Sequence, residues 1–182
     1  MNAHRILTAK PEDYGAIASV FSSATAASIQ SEGAMLEALP QAIEDGEVLL
    51  SLDKRSVDAF CLYRRDLAES LFPKSKSYGK VMGLLDELGI GEEETFLIAG
   101  LYVDLAKQRR GIGTELLSSF LRAKKGASFL VVLSPSEMDV ASFFAKFGFI
   151  NTYQSYGVEA KEKPTILVKR YRPLGLCREG VL

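Results

Sequence analysis

The chain has 182 residues, 47% hydrophobic and 25% charged, and its 22 Lys and Arg against 23 Asp and Glu leave a formal charge of −1. That length suits one domain with a sizeable core, and the composition is that of an ordinary soluble globular protein. The near-neutral balance argues against a strong nucleic-acid footprint, no apolar run approaches the roughly 20 residues of a membrane span, and the N-terminus lacks a signal-peptide pattern, so a cytoplasmic location is expected.

In chain order, His4 to Ala9 reads as a first strand. Lys10-Pro11-Glu12-Asp13-Tyr14 reads as a helix start, with proline and acids in the first turn, continued by Ile17, Ala18, Val20 and Phe21. A second helix covers roughly Ser31 to Ile43 and ends near Gly46. Glu47 to Leu52 and Val57 to Arg64 form a predicted hairpin around Asp53-Lys54-Arg55-Ser56. From Asp66 to Glu94, the residues Tyr78, Val81, Met82, Leu84, Leu85 and Leu88 give an amphipathic helical face bounded by Gly89 and Gly91. Phe96 to Val103 has the length and β-formers of a buried strand. Leu116, Leu117, Phe120 and Leu121 then fall on one helical stripe, with Glu115, Arg122, Lys124 and Lys125 mostly outside it. Phe129 to Leu133 is an apolar strand, Val140 to Phe149 a helix with its exit, and Phe149 to Val158 and Pro164 to Tyr171 a closing strand pair. No internal repeat or low-complexity tract interrupts this order.

The most informative stretch joins the Phe96 strand to the helix that follows, Val103-Asp104-Leu105-Ala106-Lys107-Gln108-Arg109-Arg110-Gly111-Ile112-Gly113. Gly111 and Gly113 sit where the first unpaired N–H groups of a helix point outward, and a missing side chain lets a ligand approach that backbone. Arg109 and Arg110 add positive charge at the end where the helix dipole is already positive. The combination reads as a pyrophosphate cradle. A Gly-x-Gly at a loop-to-helix junction is by itself also what an ordinary helix start looks like. The stretch is not a dinucleotide fingerprint, since position 116 is Leu116, and not a Walker loop, since no Gly-Lys-Ser/Thr follows. His4 as the one histidine, with two cysteines, Cys61 and Cys177, makes neither a metal site nor a disulfide framework expected.

The Gln108-x-x-Gly111-x-Gly113 element resembles the acyl-CoA-binding signature of the GNAT family of N-acetyltransferases, Arg/Gln-x-x-Gly-x-Gly/Ala. Val103-Asp104 matches the family's Val-Asp-Pro entry, with Leu105 in place of proline. The segment Phe143-Phe144-Ala145-Lys146-Phe147-Gly148-Phe149 resembles a second family hallmark, Phe-Tyr-x-Lys-x-Gly-Phe. The resemblance implies an α/β fold, a mixed and mostly antiparallel central sheet flanked by helices in a single domain, here with a helical insertion at about 66–94. That insertion reads either as an extra helix on the sheet edge or as a wall of the acceptor pocket. The resemblance further implies acetyl-CoA as co-substrate and an amine of a small molecule or protein as acceptor. A homodimer is open to such a protein, although no residue pattern marks an interface. The alternative is a GNAT-fold domain that binds CoA as a sensor without turnover.

By the same resemblance, the diphosphate lies on the N–H groups of Arg109, Arg110, Gly111, Ile112 and Gly113, with Gln108 in the signature and Thr114 able to add a hydroxyl. The pantetheine arm pairs with the backbone of Leu101, Tyr102 and Val103, and Ser142, Phe143 and Lys146 complete the cofactor contacts. The chemistry is attack of a neutral amine on the thioester, with a backbone N–H polarising the carbonyl. A lysine-like amine is neutral in about one molecule per 2,500 at pH 7, a handicap of about 4.6 kcal/mol, against about 1.4 kcal/mol for an α-amine. Members that carry a base often place a Glu in the signature strand, and this strand has none. Glu94, just before it, could relay a proton through water or be a solvated strand entry, and Tyr102 is a pocket-wall or catalytic candidate. Asp104 fits a turn cap. The family's usual acid is a tyrosine, replaced here by Phe144; Ser142, Tyr153 and Tyr156 are substitutes, and the asparagine expected earlier in that helix is Glu137.

Overall fold

The computed structural model describes residues 4–25, 32–54, 56–65, 83–91, 95–133, 138–152 and 165–170. They fall into two compact units, Met1–Arg64 with Ile98–Ala123, and Arg65–Leu97 with Lys124–Leu182.

The first unit begins with β1 (Arg5–Thr8) and a 3-10 turn, Pro11–Asp13, that opens α1 (Tyr14–Thr25). Asp13 Oδ2 accepts the Lys10 N–H at 2.9 Å, which satisfies a donor that the turn leaves over. Helix α2 (Glu32–Glu44) keeps Pro40 in its interior and so forgoes one intrahelical N–H bond. It ends on Gly46, at φ 69°, where the Gly46 and Glu47 N–H groups donate to the Ile43 and Ala42 carbonyls at 3.0 and 2.8 Å. This is a Schellman close, which turns the chain directly into β2 (Val48–Asp53).

β2 pairs antiparallel with β1 on one side and with β3 (Ser56–Arg64) on the other, and β4 (Thr95–Val103) follows β3 in the strand order. Ser51 stands opposite Ala59 but Leu52 opposite Val57, so Asp58 is an extra residue on β3. Such a bulge breaks the alternation of faces and re-aims the side chain it carries. Ile17, Val20 and Phe21 of α1 and Leu39, Ala42 and Ile43 of α2 pack with Val48, Leu50, Phe60 and Leu62 in one core. Tyr63 alternates to the face opposite Leu62, where its ring lies 4.7 Å from Phe120 of α3 (Ile112–Ala123). Ile112, Leu116, Leu117, Phe120 and Leu121 are the buried stripe of that helix, as its spacing predicts.

In the second unit the order is β5 (Ser128–Leu133), β7 (Thr165–Lys169), β6 (Ile150–Asn151), with β7 antiparallel to both neighbours. Helix α4 (Met138–Ala145) lies between β5 and β6 in the chain. Leu85, Ile90, Leu97, Leu130, Ile166 and Val168 form its core. The antiparallel pairing in both units agrees with the expected mostly antiparallel sheet. Within the expected insertion, 83–87 is helical and ends toward Gly89, while 66–82 and 92–94 lie outside the described residues. Of the expected strand from Phe149 to Val158, β6 covers Ile150–Asn151, Thr152 binds the Ile166 carbonyl through its hydroxyl at 2.9 Å, and 153–158 lie outside the described residues. No helix of the described residues is long and apolar enough to cross a membrane.

Phe60 is fully buried and its ring stacks on Tyr102 at 4.9 Å, so its removal leaves a cavity beneath β4. Phe60→Ala is expected to cost about 3–5 kcal/mol in urea unfolding of the purified chain.

Candidate functional site

Where β4 ends, the chain makes a short, heavily anchored loop before α3. The Asp104 N–H donates to the Asp58 carbonyl at 2.9 Å, and the Asp104 carboxylate accepts the Ala106 N–H at 3.0 Å. This is the turn cap that its position at the strand exit predicts. Ser23 of α1 adds a second anchor, since its hydroxyl donates to Asp104 Oδ1 at 3.1 Å and accepts the Leu105 N–H at 3.2 Å. A 3-10 turn over Leu105–Lys107 follows. Gln108 then folds back, and its side-chain amide donates to the Val103 carbonyl at 3.2 Å. The signature glutamine thus closes the loop on itself.

Beyond Gln108 the backbone changes character. Arg109 has φ 62° and Gly111 φ 83°, two left-handed residues flanking Arg110. Helix α3 starts at Ile112, and its first turn closes when the Glu115 N–H donates to the Gly111 carbonyl at 2.9 Å. Among the described residues, nothing accepts a hydrogen bond from the N–H groups of Arg109, Arg110, Gly111, Ile112, Gly113 or Thr114. Arg109, Arg110 and Thr114 are exposed beside them. Unpaired N–H groups in a turn with alternating backbone hand form an anion-binding concavity, and the dipole of α3 adds its positive end.

The two glycines of the signature do different work. Gly111 needs its left-handed φ, and a Cβ there would meet nothing within 4 Å. A Cβ on Gly113 would lie 3.3 Å from Val103 Cγ2 and 3.8 Å from Leu101 Cδ2. The missing side chain at 113 therefore lets α3 press against β4. Leu101 and Val103 serve the site as the packing floor under the helix start.

Tyr102 is half-buried, stacked on Phe60 and edge-on to Phe21 with centroids 5.0 Å apart. Its ring lies back over Gly100, where an added Cβ would fall 2.9 Å from the phenol oxygen. Of the residues predicted on α4 and its exit, Ser142 and Lys146 are exposed and Phe143 is half-buried, all in the second unit. Phe144 is buried, with its ring 5.4 Å from that of Phe143 and 5.2 Å from that of Phe149. Glu94, Glu137, Tyr153 and Tyr156 lie outside the described residues.

A polar cluster that the motif search passes over sits behind the loop. Asp58, only 2% exposed, is turned onto it by the β3 bulge. Its Oδ1 accepts the Lys107 ammonium and, at 2.7 Å, the Ser56 hydroxyl, while Lys107 also donates to Ser56 Oγ at 2.9 Å. His4 Nε2 lies 3.3 Å from Asp58 Oδ2, and His4 Nδ1 lies 3.4 Å from Glu115 Oε2 on the first turn of α3. The one sequence signal was an acid inside the apolar run Val57-Asp58-Ala59-Phe60. Burial opposes the charged form of Asp58, but hydrogen bonds from Lys107 and Ser56 and the charges of Lys107 and His4 outweigh it and hold the carboxyl below its ordinary value. No group of three or more His, Cys, Asp and Glu among the described residues could hold a metal ion.

Residues 74–151 match the family model described as the acetyltransferase (GNAT) domain. No curated protein matches the sequence. Solved structures do. The PaiA N-acetyltransferase of Thermoplasma acidophilum in complex with coenzyme A superposes with a TM-score of 0.65 at 16% identity, over 93% of this chain and 100% of that one. The diaminobutyrate acetyltransferase EctA of Paenibacillus lautus, with L-2,4-diaminobutyric acid and coenzyme A, gives 0.61 at 12% identity over 95% and 98%. A GNAT-family acetyltransferase of Brucella melitensis with acetyl-CoA gives 0.58 at 15% identity over 95% and 91%. At these identities the superpositions establish the fold.

Two outcomes follow for stability. Gly111→Val forces a β-branched residue into a left-handed φ and is expected to cost about 1–2 kcal/mol by urea unfolding. Asp58 titrates lower in the folded chain than in the unfolded one, so its contribution is complete above about pH 4 and drains away as the pH falls through the lowered folded value. Unfolding curves from pH 7 to pH 3 are expected to show that loss, and Asp58→Asn to flatten it.

Proposed function

We propose that this chain, whose residues 74–151 match the acetyltransferase (GNAT) domain model, is an acetyl-CoA-dependent N-acetyltransferase that moves the acetyl group directly to an amine of a small molecule or a protein. The observation that supports this most is the row of unpartnered N–H groups from Arg109 to Thr114 at the positive end of α3, flanked by two exposed guanidinium groups. A diphosphate needs several convergent donors and a positive field, and this loop offers both.

On this reading the acyl donor's diphosphate is held by the Arg109–Thr114 amides and its pantetheine arm runs along the backbone of Leu101, Tyr102 and Val103. Tyr102, locked between Phe21 and Phe60, walls the reacting end. The acceptor nitrogen arrives neutral and forms a bond to the thioester carbon, a backbone N–H stabilises the developing oxyanion, the C–S bond breaks, and the nitrogen loses a proton to water or to a base such as Glu94. Phe144 has no proton to give, so the thiolate departs as the anion, which a thiol pKa near 8.5 permits. A cytoplasmic protein, working alone or as a homodimer, fits this chemistry.

A second reading is favoured by the burial of Phe144 among phenylalanines: a CoA-binding regulatory domain without turnover. Thiol release from acetyl-CoA across α-amines, diamino acids, polyamines, aminoglycosides and lysine peptides separates the two. Release with at least one class is the expected result, and CoA binding with no release from any would favour the regulator. Replacing Arg109 and Arg110 together with alanine is expected to weaken CoA about tenfold in calorimetric titration, equivalent to about 1.4 kcal/mol.

A further inference from the structure

We infer that Asp58 is a positioning residue for the diphosphate loop: from behind the loop it fixes, through Lys107 on one side and His4 and Glu115 on the other, the backbone that presents the Arg109–Thr114 N–H groups. The inference rests on the cradle reading above and adds to it the device that presets the cradle.

Three observations carry it. The first is strain. Arg109 is a non-glycine residue at φ 62°, a conformation that persists only where its surroundings over-determine it. The second is bracketing. Lys107, two residues before Arg109, donates to Asp58 Oδ1, and the Asp58 carbonyl takes the Asp104 N–H where the loop begins. His4 carries the same carboxylate across to Glu115, at the point where α3 closes its first turn. One buried acid is therefore tied to the residue before the cradle and to the helix after it. The third is aim. Regular alternation along β3 would not turn Asp58 to this cluster; the extra residue in the β2–β3 register does.

The consequence is catalytic economy. A loop ordered before the ligand arrives has no ordering cost left to set against affinity, and it holds the thioester at a fixed distance from the pocket wall. Because Lys107 is spent on Asp58, the charges facing a ligand are those of Arg109 and Arg110.

The test uses the full chain and calorimetric titration with CoA and, separately, with pantetheine, which lacks the diphosphate. In Asp58→Asn, and in Asp58→Asn/Lys107→Met, which leaves no buried charge unpaired, CoA affinity is expected to fall tenfold or more while pantetheine affinity stays within twofold. Lys107→Arg, which keeps a cation for the carboxylate, is expected to restore CoA binding to within threefold of the parent. A folded double variant with parental CoA affinity, or equal losses for both probes, would overturn the inference. Failure of the parent to bind CoA would instead bring down the cradle reading itself. Should the variants not fold, backbone 15N order parameters of the parent decide: values near 0.85 at 108–113 support a preset loop, and values below 0.6 contradict it.

Discussion

A run of peptide N–H groups that find no acceptor among the described residues is the constraint around which this protein is arranged. A helix always leaves its first donors over, and most chains spend a serine, threonine or aspartate to satisfy them. Here the residue before α3 is Gly111, which has no side chain to give, and the capping side chains nearby are engaged elsewhere. Asp104 caps the 3-10 turn, Gln108 reaches back to Val103, and Lys107 reaches Asp58. Each of these bonds leaves the donors from Arg109 to Thr114 facing outward. The loop is thus rigid at its base and open at its tip, which is what recognition of a diphosphate by main chain demands.

Strength at the base comes from packing as much as from polar bonds. Gly113 allows α3 to settle on Leu101 and Val103, and Gly100 allows the Tyr102 ring to stack on Phe60 and meet Phe21 edge-on. β4 is held through both: helix start above it, aromatic stack beside it. A strand fixed in this way gives its neighbouring backbone a defined position, and the cradle inherits that position through the hydrogen-bonded loop from Asp104 to Gln108.

Much of this was legible in the residues. The length and β-formers of an apolar run located β4, and a helical stripe located α3, because burial of Leu116, Leu117 and Phe120 against a sheet leaves a pattern that side-chain spacing records. The Gln-x-x-Gly-x-Gly element marked the loop. What the residues could not disclose depends on register or on space. Asp58 looks like one acid in an apolar strand, and only the pairing of Ser51 with Ala59 and Leu52 with Val57 shows that it is turned toward Lys107 and His4. The spacing of Gly111 and Gly113 does not disclose that the first carries a left-handed φ and the second lies against a methyl group of Val103.

The account is tested most directly by following the backbone amides of the full chain by NMR as CoA is added. It predicts saturable shifts at Arg109, Arg110, Gly111, Ile112, Gly113 and Thr114, the largest of any described segment in the first unit. Saturable binding that leaves those resonances in place, and moves others instead, would contradict it.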